Sequence, residues 1–214
     1  MTDKDWTGNQ KSLFIQLGAS NHSEGEREPN DYYATDPWAI DCLKEKIDLP
    51  HIILEPSCGE GHLSKRLEAL GHKVYSYDKI DRGYGKVQDY FLMEKLPDGC
   101  ECIVTNPPFK HLTDFVLKSL ELLPDGGLCC MFVKTTTLEG VERWEKIYRN
   151  CPPHKVLQCV RRILCAKNGD FDAIKSSASV YAWFVWRKGF TGLPTIEWIN
   201  TGQQHYSKIN KLDL

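Results

Sequence analysis

The stretch Asn106-Pro107-Pro108-Phe109 is where the residue types first suggest chemistry. It leaves the apolar run Cys102-Ile103-Val104-Thr105, which places it at the exit of a strand. Two adjacent prolines fix two φ angles and remove two amide donors, and the residue before a proline is pushed out of the helical region. The product is a stiff, extended loop mouth with bare carbonyls and one amide side chain. The amide can accept a hydrogen bond from an exocyclic amine, and Phe109 offers a face to a flat ring. The competing reading is a strand-terminating turn with Asn before Pro.

Upstream lies a second chemical stretch, Glu55-Pro56-Ser57-Cys58-Gly59-Glu60-Gly61. Glycines between a strand and a helix let backbone approach a ligand closely, and the helix N-terminus offers free amides. The pattern is not a dinucleotide fingerprint, because the third glycine of G-x-G-x-x-G would fall on Ser64. Asp78, at the end of the next strand, can accept both hydroxyls of a ribose. Asp89, at the end of the one after, can accept from an adenine amino group, with Tyr90 or Phe91 packing nearby. Taken singly, each acid reads equally as a loop solvator or a helix cap; their ordered spacing along one sheet edge is what joins them.

These residues need a frame. Asp36-Pro37 starts a helix with Ile40, Leu43 and Ile47 on one face. His51 to Leu54 is a short strand, followed by the glycine turn and a helix marked by Leu63, Leu67 and Leu70, stopped by Gly71. Lys73 to Tyr77 is a second strand, Val87 to Phe91 a weaker third, and Cys102 to Thr105 a fourth. Leu112, Phe115, Val116, Leu120 and Leu123 then define a helix, Leu128 to Val133 a buried strand and Val141 to Tyr148 a further helix. Lys155–Leu164 and Ser179–Trp186 read as two strands without a helix between them, hence an antiparallel hairpin at the sheet edge. Alternating strands and helices predict an α/β fold, a mostly parallel seven-stranded sheet closed by that C-terminal hairpin. Ligands of such sheets bind outside the carboxyl ends of the strands, where all the residues named above fall.

With 214 residues the chain can hold one α/β domain with a sizeable core. Residues 1–31 are polar and turn-rich and read as a flexible arm, 32–190 as the catalytic domain and 191–214 as a C-terminal extension. No apolar run is long enough to span a bilayer and the first residues do not read as a signal peptide, so the expected location is the cytoplasm. The nine cysteines lack metal-ligand spacing and read as reduced, mostly buried thiols, with no metal expected. The net charge of −2 does not mark a nucleic-acid binder, but residues 1–103 sum to −7 and residues 104–214 to +5, so a polyanion would meet the second half.

Together, the glycine turn, Asp78, Asp89 and Asn106-Pro107-Pro108-Phe109 resemble S-adenosylmethionine-dependent amino-methyltransferases, with Rossmann-like class I architecture. The likeness is greatest to the adenine-N6 DNA methyltransferases, especially small phage or prophage types, and covers roughly residues 30 to 187. Tyr33-Ala34-Thr35-Asp36-Pro37 resembles the family's N-terminal cofactor motif. The resemblance implies S-adenosyl-L-methionine as cofactor, held by Tyr33, Thr35, Glu55, Pro56, Cys58, Gly59, Gly61, Asp78, Asp89, Tyr90 and Asn106. It implies that Asn106 and the Pro107 carbonyl accept the two N–H bonds of the target amine, within the catalytic quartet Asn106, Pro107, Pro108 and Phe109. Phe109 would stack on the flipped base. Phe171 is a candidate for the opposite face, equally readable as hairpin packing, and Lys110, Arg161, Arg162 and Lys167 could meet phosphates. No separate target-recognition domain is visible. The implied activity is methyl transfer to N6 of adenine in DNA. The alternatives are an RNA base or a protein glutamine amide, and a silent nucleic-acid or partner-binding module.

Overall fold

The computed structural model describes residues 32–167, 169, 171 and 179–200. The 1–31 arm and most of the extension, 201–214, lie outside the described residues.

The strands are β1 (Tyr33–Thr35), β2 (Ile52–Glu55), β3 (Lys73–Asp78), β4 (Lys86–Val87), β5 (Cys102–Thr105), β6 (Leu128–Lys134), β7 (Lys155–Cys159), β8 (Cys165–Lys167), β9 (Tyr181–Arg187) and β10 (Thr195–Ile199). The helices are α1 (Trp38–Lys46), α2 (His62–Ala69), α3 (Leu112–Leu122) and α4 (Val141–Arg143), the last passing into a π-helical turn, Trp144–Tyr148. Eight strands form one sheet in the order β10-β7-β9-β6-β5-β2-β3-β4. The pairs β2–β3, β3–β4, β2–β5, β5–β6 and β7–β10 are parallel; β9 is antiparallel to both β6 and β7. The chain leaves β2 toward β3 and β4, then returns to β5 and β6 on the other side. The crevice for a ligand therefore opens between β2 and β5.

The helices cover both faces because the central strands are apolar on both sides. Along β6 the alternation is direct. Leu128, Cys130 and Phe132 face the layer of α1 and α2, with Ile40, Leu43, Leu63 and Leu67, while Cys129, Met131 and Val133 face that of α3, with Phe115 and Val116. The two largest fully buried side chains also find polar partners: Trp183 Nε1 donates to Ala39 O (2.7 Å) and Trp186 Nε1 to Cys151 O (3.0 Å). All nine cysteines are free, seven of them buried. Asp36 starts α1 as its sequence predicts, its Oδ1 accepting from Trp38 N at 2.9 Å. No helix among the described residues is long and apolar enough to cross a membrane.

The architecture departs from the sequence reading at the edges. β9 lies inside the sheet between β6 and β7, and the far edge is β10, an eighth strand drawn from the 191–214 segment. The third strand is only Lys86–Val87, since Asp89 caps a 3₁₀ turn over Tyr90–Leu92. β1 and β8 make a separate two-stranded antiparallel sheet, Ala34 opposite Ala166, which brings the residues before α1 back beside the carboxyl ends of the main strands.

Candidate active site

A cavity of about 650 Å³ opens at those carboxyl ends. Its lining includes Tyr33, Thr35, Glu55, Pro56, Cys58, Asp78, Asp89, Tyr90, Asn106, Pro107, Pro108, Phe109 and Lys110. One concave site thus gathers residues spread over almost eighty positions of sequence, on β1, β2, β3 and the segments that follow β2, β3, β4 and β5.

The glycine turn is held in place before any ligand is considered. Gly59 (φ +56°) and Gly61 (φ +81°) adopt left-handed backbone that other residues rarely take. Cys58 N donates to Tyr77 O (2.8 Å) and Gly59 N to Asp78 Oδ2 (2.8 Å), which lashes the turn to β3. Asp78 Oδ1 accepts from Ile80 N (2.9 Å). Each oxygen of Asp78 has thus spent one lone pair on backbone and keeps capacity for a hydroxyl. A side chain at Gly59 would meet the Tyr32 ring at 2.3 Å, so that position is bare for close approach as well as for its φ. Tyr32 lies flat under the Arg82 guanidinium (4.0 Å to the centroid), and its hydroxyl accepts from Glu60 N (3.3 Å). Sequence reading passed over this pair; no local spacing joins residues fifty apart.

Glu55 is buried at the foot of the cavity and accepts from the Ser64 hydroxyl, which also meets Ser76 Oγ at 2.6 Å. Burial pushes its carboxyl up to about 8, against the pull of Ser64. A nearby cation would reverse that preference and ionise it. Burial likewise raises the Cys58 thiol to about 12. It therefore stays a thiol, which matters beside any electrophilic ligand, since only the thiolate is a strong nucleophile.

Asp89 is engaged on both oxygens: Oδ1 accepts from Phe91 N (3.0 Å) and Oδ2 pairs with Lys79 (2.9 Å). The Lys79 hydrogen bond holds its carboxyl below the usual range. Tyr90 is buried, its hydroxyl 2.9 Å from Ser119 Oγ, so it walls the cavity from the core. The exposed ring at this end is Phe91, edge-on to Phe115 and His111.

At the β5 end, Asn106 Nδ2 donates to Thr35 Oγ1 at 2.8 Å. That bond uses the donor end of the amide, and Oδ1 remains its acceptor. Thr35 is itself buried on β1, so the small sheet positions the amide. Ser57 Oγ lies 3.0 Å from Thr105 Oγ1 and donates to Asn106 O (3.2 Å), tying the proline loop to the glycine turn. Among the described residues no donor reaches the Pro107 carbonyl, while Pro108 O accepts from His111 N (2.9 Å) to start α3's lead-in turn.

Phe109 lies 6.1 Å from the Tyr181 ring, which stacks on Phe132 (5.3 Å). Lys134, at the end of β6, holds its ammonium 4.8 Å from the Phe109 centroid. Sequence reading did not single out Lys134. Lys110 is exposed at the rim. Phe171 packs edge-on against His62 (5.5 Å), and no Phe171–Phe109 ring contact occurs among the described residues. Lys167 contributes its backbone to β8, opposite Tyr33. The side chain of Lys167 is outside the described residues. Among the described residues no cluster of His, Cys, Asp and Glu could hold a metal.

No protein-family model matches the sequence, and no curated protein matches it either. Solved structures do resemble it. One is a Listeria monocytogenes protein provisionally named a class I S-adenosylmethionine-dependent methyltransferase, with TM-score 0.55 and 13% identity over 94% of this chain and 75% of that one. Another is the methyltransferase subunit of a type I restriction-modification system from Streptococcus thermophilus (TM-score 0.56, 10% identity, 85% of this chain). This chain spans only 54% of that subunit. A third, from Pyrococcus horikoshii, is provisionally named an RNA methyltransferase (TM-score 0.53, 14% identity, 86% of this chain and all of that one). The fold is therefore the Rossmann-like fold of class I S-adenosylmethionine-dependent methyltransferases.

Proposed function

We propose that this protein transfers a methyl group from S-adenosyl-L-methionine to the exocyclic N6 amine of adenine in DNA. The observation that carries the reading is the Asn106 amide, which lines the cavity and is tethered to Thr35 through its donor nitrogen, leaving Oδ1 as its acceptor.

The cavity fits the cofactor. Its β2–β3 end is lined by Glu55, Asp78 and Asp89, a set suited to a ligand bearing a sulfonium and an ammonium, with Pro56, Ser57 and Cys58 leading into the glycine turn beside them. Asp78 would take the ribose hydroxyls, Asp89 the adenine amine, and Thr35 with the glycine turn the methionine end. When bound, the cofactor supplies an already activated methyl group.

The protein's share is to make a poor nucleophile attack in line. An adenine amine is unreactive because its lone pair is delocalised into the ring. Asn106 Oδ1 and the Pro107 carbonyl accept its two N–H bonds, which favours a more pyramidal nitrogen with the lone pair aimed across the cavity. With the cofactor held by Glu55, Asp78 and Asp89, its methyl carbon would be the electrophile for that lone pair, and the proton shed by the amine would pass to solvent. Rate enhancement comes from positioning and needs no side chain of unusual pKa. The base must leave the helix stack to reach this loop, and Phe109 supplies a ring face to receive it.

The test is transfer of labelled methyl from S-adenosylmethionine to unmethylated duplex DNA, to RNA and to a release-factor-type protein. Label in DNA as N6-methyladenine supports the reading. Label only in RNA or in a glutamine amide redirects it, and absence of cofactor binding by isothermal titration would leave a silent binding module.

A further inference from the structure

The ring assigned to the target base already carries a cation. Lys134 ends β6, the strand next to the one that delivers Asn106, and is half-buried with its ammonium 4.8 Å from the Phe109 centroid. Of the cations that line the cavity, Lys110 is exposed at the rim and the other two have partners. Lys79 is paired with Asp89, and Arg82 lies on Tyr32. Lys134 meets no carboxylate among the described residues. Its charge is felt at the neighbouring Cys165 thiol: burial pushes that thiol up to about 12, while Lys134 is among the groups that pull it back. Among the described residues the ammonium's close partner is a ring face, whose negative quadrupole attracts a cation. A flat base stacking on Phe109 would compete for that ring and bring an anion with it, the phosphate of its own nucleotide.

We propose that Lys134 is a substrate-binding residue that passes from the Phe109 ring to the phosphate flanking the flipped adenine. The inference rests on the nucleic-acid reading of this site and deepens it: a glutamine side chain carries no such anion. A lysine suits the role, being a compact point charge on a flexible stem that can leave one partner for another. The position also explains why a chain of net charge −2 can hold a polyanion, since the recognition is placed at the reacting nucleotide.

The experiment uses the full chain and a short duplex containing the adenine that the wild-type protein methylates. Duplex affinity is measured against salt concentration for wild type, Lys134→Met and Lys134→Arg, together with KM and kcat for methyl transfer, melting temperature and titration with S-adenosylmethionine. Loss of one phosphate contact should lower the slope of log K against log salt by about 0.9 for the methionine variant. KM for DNA should rise roughly tenfold, with kcat, cofactor affinity and melting temperature little changed, and arginine should restore the slope. As a control that needs no variant, the wild-type protein is given duplexes with a neutral methylphosphonate at each phosphate flanking that adenine. One of them should reproduce the loss, and it should not add to Lys134→Met. An unchanged slope in a folded Lys134→Met, or wild-type indifference to both neutral phosphates, overturns this inference alone. A wild-type protein that methylates no nucleic acid overturns the underlying reading with it.

Discussion

At the β2–β3 end of the cavity the carboxylates are already employed by the fold. Asp78 holds Gly59 and Ile80, Asp89 holds Phe91 N and Lys79, and Glu55 holds Ser64. At the β5–β6 end the functional groups are held from one side only. Asn106 is anchored by its nitrogen and keeps its oxygen as an acceptor, the Pro107 carbonyl meets no donor among the described residues, and Lys134 rests on a ring. The first region is rigid backbone with acidic trim, suited to a cationic ligand of fixed shape. The second brings together two acceptors, the Asn106 amide oxygen and the Pro107 carbonyl, and the Lys134 cation on its ring. On the proposed function that division is an advantage, because a pre-organised cofactor half lowers the ordering cost of binding while the other half can adapt to a large substrate.

The comparison breaks most visibly at Asn106. Replacing it with alanine removes the acceptor and leaves Pro107 to hold the amine alone. Loss of one positioned hydrogen bond in a dry site costs about 3–4 kcal/mol, by analogy with removal of an oxyanion-hole donor. Turnover should therefore fall by about two to three orders of magnitude in single-turnover methylation, with cofactor affinity and melting temperature largely kept. Aspartate, also an acceptor and nearly isosteric, should retain part of the activity. If Asn106 were merely a turn former, alanine would instead lower the melting temperature and leave turnover per folded molecule near normal.

At the opposite end the expected effect is smaller and of another kind. Asp78→Ala strips an acceptor from the amides of Gly59 and Ile80 as well as from the ribose. An unpaired polar partner costs roughly 1–3 kcal/mol, so titration should show S-adenosylmethionine bound on the order of ten- to a hundredfold more weakly, accompanied by a lower melting temperature. Unchanged affinity would mean that the acidic end is structural only.

An effect on pH dependence, not on binding or turnover, concerns Glu55. Its folded carboxyl titrates near pH 8, above an ordinary value of 4.5. Between those limits the folded state holds a proton that the unfolded chain has lost. Stability contributed by this group is therefore full below about pH 4.5 and declines as pH rises through about 8, with a slope of at most about 1.4 kcal/mol per pH unit. Glu55→Gln keeps an acceptor for Ser64 without a titrating group. Its melting temperature should vary less between pH 5 and pH 8 than that of the wild type, and equal variation would remove Glu55 from the account.

Much of the rigid half was legible in the sequence. An apolar run, a glycine turn and a helix face repeating at Leu63 and Leu67 are local signals, and Asp78 follows from a strand end, whereas Asp89 caps a 3₁₀ turn two residues past a shorter strand than its sequence suggests. What lay beyond reach was produced by distant pairing. The contact of Asn106 with Thr35 needs the β1–β8 sheet, whose three-residue strands carry no periodicity of their own. Tyr32 under Arg82, and Lys134 over Phe109, join residues that only the folded sheet brings together. The edge strand β10 was missed because Ile196 and Trp198 alternate with polar residues on an exposed edge, where a short strand resembles an irregular tail. Phe171 meets His62 edge-on, a partner that no sequence spacing points to.

The central claim is that the Asn106 amide positions an adenine amine for methylation. Its most direct test is mass spectrometry of nucleosides from the DNA of a methylation-deficient host expressing either the wild-type chain or Asn106→Ala at matched soluble levels. The account predicts N6-methyladenine with the wild type and a loss of about two to three orders of magnitude with the variant. A wild-type chain that binds S-adenosylmethionine yet leaves no N6-methyladenine in that DNA, or an alanine variant that methylates as well as the wild type, would contradict it.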